Sequence, residues 1–329
     1  MSWFILSVIA LLCWSGSDLF SKIGCQEISD KYSHLKMVIA VGVVMGIHAV
    51  FEIFVKGTMI NFQIIWVYFP VSLLYIGSMA LGYLGLRYIE LSVSSPICNS
   101  SGALVALLSI ITGTAGRMLP VQYLAIIMTC GGAILLGAVE ATEDDALRAK
   151  RQAKENRKYA KSWIALALPF AYCLLDAAGT FADSFVIDKI SKFDCIIQSA
   201  AVGLTGEEAI TAVQDAATGS ANAAYELTFL AAAVCCFIYL KLIRKDKFVL
   251  KREAPKYVGA ICETIGQFAY IFAIADQEHL AMSAPIISSS CAASVLWSRI
   301  FLKERLSWKH YSAILIIIIG IVIMGVYDI

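Results

Sequence analysis

Ten stretches of mostly apolar residues run along the chain, near 2–22, 34–55, 64–87, 90–112, 121–140, 162–187, 223–243, 255–275, 280–301 and 309–327. A helix needs about 20 apolar residues to cross the hydrocarbon core of a bilayer. Backbone polar groups in lipid must find partners within their own segment, so each stretch predicts a transmembrane helix. The expected fold class is an all-α integral membrane protein with ten transmembrane helices. The first span has no basic region before it and no small-residue cleavage site after it, so we read it as a retained helix.

Two of these spans carry polar interruptions of the same form. "LSVSSPICNSS" (91–101) lies in span 4 and "LAMSAPIISSS" (280–290) in span 9. At a shift of 189, Gly77 falls on Gly266, Ser94 on Ser283, Pro96 on Pro285 and Ser100 on Ser289. The first spans of each half match at a shift of 163, Gly16 on Gly179, and the difference is close to the length of an extra connection at 188–222. The chain therefore reads as two five-helix halves, 1–140 and 162–329, joined by a charged linker at 141–161. Five is odd, so the second half enters the membrane from the opposite side, and the halves are inverted repeats. That arrangement is typical of secondary transporters, with the substrate site near the midplane between the halves. A proline deep in a helix removes a hydrogen bond and breaks the turn before it. The two breaks are expected to face each other across a midplane cavity.

Composition agrees: 59% of the 329 residues are hydrophobic and only 16% are charged. Soluble domains are about half apolar and about a quarter charged. Net charge is +1, which gives no reason to expect a nucleic-acid partner. The distribution of charge says more. Termini and the connections after spans 2, 4, 6 and 8 share one side, which holds only Lys56, Arg117, Lys189 and Lys192 of the 26 basic residues. The positive-inside rule places the other side in the cytoplasm of a cell (inner or plasma) membrane and both termini outside it. The linker begins with acids and ends with bases, which suits a charged helix outside the bilayer. The 188–222 connection is then extracytoplasmic. Its Thr205-Gly-Glu-Glu208 run predicts a capping box opening a short amphipathic helix.

The order and spacing of several stretches resemble the drug/metabolite transporter superfamily in its ten-helix EamA-like form. The stretches are "LLCWSGSDLFSKIG" (11–24) and the run from Pro285 through "FLKERLS" (301–307) into a glycine-containing last helix. The likeness leaves out 142–162 and 188–222. It departs at "TAGRMLP" (114–120), where the family has a Glu-Arg-Leu-like element, and in the termini-out orientation. The resemblance implies that spans 1, 3, 4, 6, 8 and 9 line a central cavity, with spans 5 and 10 to one side.

Ionisable residues inside a membrane are costly and mark function by default. Asp18, Glu52, Asp176, Asp183 and Glu263 fall within spans, and no Lys or Arg lies near a span centre. Lys22 and Arg299 are close enough to the cytoplasmic ends to snorkel. Asp176, Thr180 and Asp183 share a helix face, as do Glu263 and Gln267. Candidate substrate-binding residues are Trp14, Asp18, Tyr75, Tyr83, Ser95, Asn99, Asp176, Thr180, Glu263, Gln267, Ser288 and Ser289. Asp176, Asp183 and Glu263 are the candidates for coupling to H+ or Na+. A carboxylate beside aromatic rings holds an organic ammonium by charge and cation–π attraction. Anionic solutes would need central cations, which the spans lack.

These features point to a secondary active transporter of a small cationic or neutral organic solute working by alternating access. Divalent-cation transport and translocation of lipids or lipid-linked precursors are the alternatives. The chain carries no HExxH pair and no phosphate-binding loop, so neither an enzyme activity nor a cofactor is expected. Expected partners are the solute and membrane lipid. Gly131, Gly132, Gly137, Gly320 and Gly325 are spaced for close contact, either within the chain or in a homodimer through spans 5 and 10.

Overall fold

A computed structural model describes residues 3–26, 30–88, 91–113, 118–141, 163–276, 279–303 and 306–327. The linker expected to be helical, Arg117, and Glu304 and Arg305 of the "FLKERLS" run lie outside the described residues. Among the described residues, ten helices are long and apolar enough to cross a membrane. They are α1 (Trp3–Cys25), α2 (Ser33–Phe54), α3 (Phe62–Tyr88), α4 in two pieces, α5 (Pro120–Ala141), α6 (Trp163–Phe193), α7 (Glu207–Ile238), α8 (Leu250–Ile274), α9 in two pieces, and α10 (Trp308–Val326). No strand occurs among the described residues. Large apolar side chains such as Ile47, Trp66, Ile111, Ile127, Ile261 and Ile318 are exposed on the outside of the bundle. An apolar surface on this scale marks a multi-pass membrane protein.

Helices 4 and 9 break about one turn after a proline, not in the turn before it: Pro96 and Pro285 both lie within the first helical piece. The pieces are α4a (Leu91–Cys98) and α4b (Ser101–Thr112), and α9a (Leu280–Ser288) and α9b (Ser290–Phe301). At each break a serine hydroxyl donates to the carbonyl four residues back. Ser100 Oγ donates to the Pro96 carbonyl at 2.8 Å, and Ser289 Oγ donates to the Pro285 carbonyl at 2.7 Å. The Ser100 amide turns to the Ile97 carbonyl, three residues back, which tightens the turn.

The helix pairs repeat across the bundle. Exchanging each helix for the one five places on turns the α1–α8 pair into α6–α3 and the α2–α8 pair into α7–α3. It leaves the α2–α7 and α5–α10 pairs unchanged, and turns α4b–α9a into α9b–α4a. The largest pairings therefore obey a pseudo-twofold exchange of two five-helix halves. Close approach needs bare backbone at the self-paired seams. A Cβ on Gly132 would lie 3.2 Å from the Ala313 carbonyl, and one on Gly320 would lie 2.9 Å from the Ala125 carbonyl. Those two glycines thus serve the contact of α5 with α10 inside one chain.

The 188–222 region differs from the expectation. Helix α6 runs on to Phe193, and Asp194 caps the short helix Cys195–Gln198 by accepting from the Ile196 and Ile197 amides. No separate amphipathic helix follows. Helix α7 starts at Glu207 and continues without interruption into the membrane segment. The capping box does not form, because Gly206, not Thr205, is the N-cap; at φ +63° and ψ −138° it holds a conformation reserved for glycine. The stretch 207–224 is rich in alanine, which favours helix strongly although it is only weakly apolar.

Candidate functional site

A cavity sits among α1, α3, α4a, α6, α8 and α9b, with Tyr225 of α7 added to its wall. Its volume for water centres is ≈ 60 Å³. At roughly 10–15 Å³ for each water, that is room for about four to six water molecules. Acids and rings dominate the lining. Asp18 accepts from the Ser95 hydroxyl at 2.6 Å and from the Ser294 hydroxyl at 2.8 Å, so one carboxylate ties α1 to both broken helices. Asp176 accepts from Ser101 at 2.7 Å, and Glu263 accepts from Ser17. None of the three has an ion-pair partner among the described residues. A serine donor stabilises a carboxylate without neutralising it, so the cavity retains acceptor strength for a ligand.

Three further polar atoms at the cavity, Trp14 Nε1, Tyr83 Oη and Gln267 Nε2, are buried without a hydrogen-bond partner among the described residues. Buried polar groups are nearly always bonded, and exceptions call for an explanation such as a ligand. The Trp14 ring stands 4.9 Å from that of Tyr270, with Tyr75, Tyr83 and Tyr172 on other sides.

Of the candidates from sequence, Trp14, Asp18, Tyr75, Tyr83, Ser95, Asn99, Asp176, Glu263 and Gln267 line this one cavity. Thr180, Ser288 and Ser289 do not. Thr180 is buried and accepts from the Tyr270 hydroxyl at 3.0 Å, one turn beyond the cavity. Ser289 is turned back on its own helix by the bond to Pro285, and Ser288 packs against Gly102. The two breaks therefore do not face each other across the cavity. They touch: Ser290 Oγ donates to Asn99 Oδ1 at 3.0 Å, and together they form one wall. Ser290 and Ser94 line the cavity in place of Ser288 and Ser289.

Asp183 also lies outside the cavity, fully buried. It accepts from Tyr68 at 2.6 Å and Tyr75 at 3.2 Å, and Tyr75 bonds Tyr270 in turn. This tyrosine network joins α3 to α6 and α8. Glu226 on α7, not singled out from the sequence, is wholly buried between the halves. Its carboxylate meets His48 Nδ1 at 2.8 Å and the Asn222 amide at 3.0 Å. The signal was present, since the acid falls at 226 within span 7, but it stood too near the expected start of that span to count as intramembrane.

At the end where α2 and α8 begin, charge is concentrated and buried. Lys36 reaches Asp30 at 3.0 Å, Asp246 at 3.0 Å and Glu253 at 3.6 Å, and Lys256 reaches Glu253 at 2.9 Å. Arg87 donates to the Asp30 carbonyl and to Ser33. Lys22 does not snorkel: it is buried and donates to the Leu86 carbonyl at 2.9 Å, because a carbonyl at the close of α3 lies within its reach. Toward the opposite end the halves are joined by carboxylates that accept from neutral groups or meet a histidine: Asn61 Nδ2 donates to Asp194 at 2.8 Å, Tyr68 donates to Asp183, and His48 meets Glu226. Both ends include contacts between the halves: Lys36 with Asp246 and Glu253, and Lys256 with Asp30, at one end, and Asn61 with Asp194 at the other.

Residues 211–326 match the model of the EamA-like transporter family, which covers most of the second half. Among solved structures, a crystal structure of a protein matches with a TM-score of 0.60 over 98% of this chain and 96% of its own, at 14% identity. That likeness shows a shared fold. No curated protein matches the sequence.

Proposed function

We propose that this chain, an EamA-like membrane transporter by the family match over its second half, is a secondary transporter that moves a small organic solute, cationic or neutral, by alternating access. The observation that carries this reading is the set of three cavity carboxylates, Asp18, Asp176 and Glu263, with no cation to balance them among the described residues. An ammonium entering the cavity gains that charge. It also meets the faces of Trp14, Tyr83 and Tyr172, and cation–π attraction grows when water is excluded. The cavity volume suits a compact solute or the polar head of a longer one.

The metal reading has less support. No group of three or more His, Cys, Asp or Glu side chains able to hold a metal occurs among the described residues. Hard cations require clustered oxygen ligands.

The cross-half contacts support alternating access. Opening the end where α8 begins separates Lys36 from Asp246 and Glu253, and Asp30 from Lys256. Opening the other end separates Asn61 from Asp194, Tyr68 from Asp183 and His48 from Glu226. Each state therefore gives up one set of bonds while keeping the other. Asp176 and Glu263 are the residues on which proton or sodium coupling would act. The charged end faces the cytoplasm and both termini lie outside it, in a cell membrane, following the distribution of basic residues.

A thermal-shift screen of purified protein against amines, amino acids, nucleosides and sugars tests the reading. Ligand at 100 times its Kd stabilises the folded state by about 2.7 kcal/mol. Amines should raise the melting temperature of the wild type and not that of Asp176→Asn. A screen in which no solute shifts the wild type refutes the proposal.

A further inference from the structure

Two of the cavity rings lie against bare backbone. A Cβ built on Gly266 of α8 would sit 2.5 Å from Trp14 Cδ1 and 2.8 Å from Trp14 Nε1. One built on Gly82 of α3 would sit 2.9 Å from Tyr172 Cδ2 and 3.1 Å from Tyr172 Cε2. Contacts this short do not occur between real side chains, so any residue other than glycine must displace the ring. The two contacts fall on helix pairs related by the pseudo-twofold exchange, although the residues themselves are not aligned in the repeat: Trp14 of α1 lies on α8, and Tyr172 of α6 lies on α3. Each half thus supplies one ring and one glycine.

Displacement has one open direction. Both rings line the cavity, so the free space in front of them is the cavity itself. Tyr75 provides the contrast. Its ring lies on Gly179, 2.9 Å from the position of a Cβ, but its hydroxyl is held by Asp183 and Tyr270. A side chain at 179 would meet a pinned ring, whereas no bond holds the Trp14 indole nitrogen.

We propose that Gly82 and Gly266 are specificity-determining positions: they let the Tyr172 and Trp14 rings lie back against the helices, and so set the width of the cavity and the size of solute it admits. The inference rests on the cavity being the solute path. A shift of a ring by one methyl's thickness is a large fraction of a space holding so few waters.

Cys98 lines the same cavity and reports its width without any knowledge of the substrate. The full-length protein is treated with methanethiosulfonate ethylammonium and with its larger trimethylammonium analogue, and labelling of Cys98 is followed by peptide mass spectrometry. One methylene in a pocket discriminates by about 10–200-fold, so Gly82→Ala and Gly266→Ala should each raise the small-to-large rate ratio at least about tenfold. The effect of Gly82→Ala should vanish when Tyr172→Leu removes the ring, and that of Gly266→Ala when Trp14→Leu does. Should an alanine variant fail to fold, Tyr172→Leu and Trp14→Leu alone carry the test, and each should speed the larger reagent selectively. An unchanged ratio in folded alanine variants, or an equal change without the ring, overturns the proposal. So does leucine at 14 and 172 with no gain for the larger reagent. Failure of both reagents to label Cys98 in the wild type overturns it too, and separately contradicts the cavity as a solute path.

Discussion

Replacing Lys36 by methionine should destabilise the protein more than any surface charge change. The ammonium sits 3.0 Å from Asp30, 3.0 Å from Asp246 and 3.6 Å from Glu253, with the Lys36 and Asp30 side chains only 4% and 3% exposed. Methionine matches the apolar stem of lysine, so the change removes the charge, and with it the cation–π contact on the Phe248 ring, with little loss of volume. Three carboxylates are then left with Lys256, which reaches Asp30 and Glu253. Removing one partner of a buried ion pair costs about 3–5 kcal/mol, because the charge left behind remains out of water. Lys192→Met is the control. Its bridge to Asp188 is exposed, 65% and 38%, and such pairs contribute about 0–1 kcal/mol. All the described cysteines are free and several are buried, so a thiol-reactive dye reports unfolding on heating. Lys36→Met should lower the melting temperature at least about threefold more than Lys192→Met, by the ratio of those costs. Adding Glu253→Gln should restore part of the loss, since one unpaired charge fewer is buried. A shift no larger than the control, or a double variant worse than either single change, would refute the reasoning.

Asp183→Leu strands the buried Tyr68 hydroxyl, at about 1–3 kcal/mol for an orphaned group, and takes one partner from Tyr75, which keeps Tyr270, whereas Asp183→Asn keeps an acceptor oxygen; the same melting assay should rank Leu below Asn. Gly320→Val drives a side chain into the Ala125 carbonyl and the backbone of Thr129, and overpacking of this kind costs about 1–3 kcal/mol, read as a lower melting temperature than Gly131→Val, where space is open. Cys195 is exposed beside the end that the basic residues avoid, so a membrane-impermeant maleimide should label it in intact cells and fail with Cys195→Ser. Labelling only after permeabilisation would reverse the orientation.

Hydropathy made the ten helices legible, and the two polar, proline-containing stretches pointed to the spans that break, although the breaks fall about one turn after the prolines; both signals act within a single segment. Depth and direction were harder. Asp176 and Asp183 share a face of α6, yet seven residues put them about 10 Å apart along the axis. One faces the cavity and the other joins the tyrosine network. Periodicity reports the face and says nothing of what lies at each level. Ser288 and Ser289 looked equivalent to Ser290 in sequence. The break turns each serine a different way, and only Ser290 reaches Asn99. Helix α7 ran longer than its hydropathy because alanine is a strong helix former and a weak apolar signal. The buried charge at Lys36 was invisible to a rule that counts basic residues by side, since the partners come from connections far apart in the chain.

The central claim is that the acidic cavity between the halves carries a small solute across the membrane. Uptake of radiolabelled organic ammonium ions of graded size into proteoliposomes tests it most directly, with wild type, Asp176→Asn and Glu263→Gln compared at equal protein incorporation. The wild type should take up at least one compact ammonium saturably, and both variants should lose that uptake. Uptake that is absent from the wild type across the whole series, or unchanged when both carboxylates are neutralised, would contradict the claim.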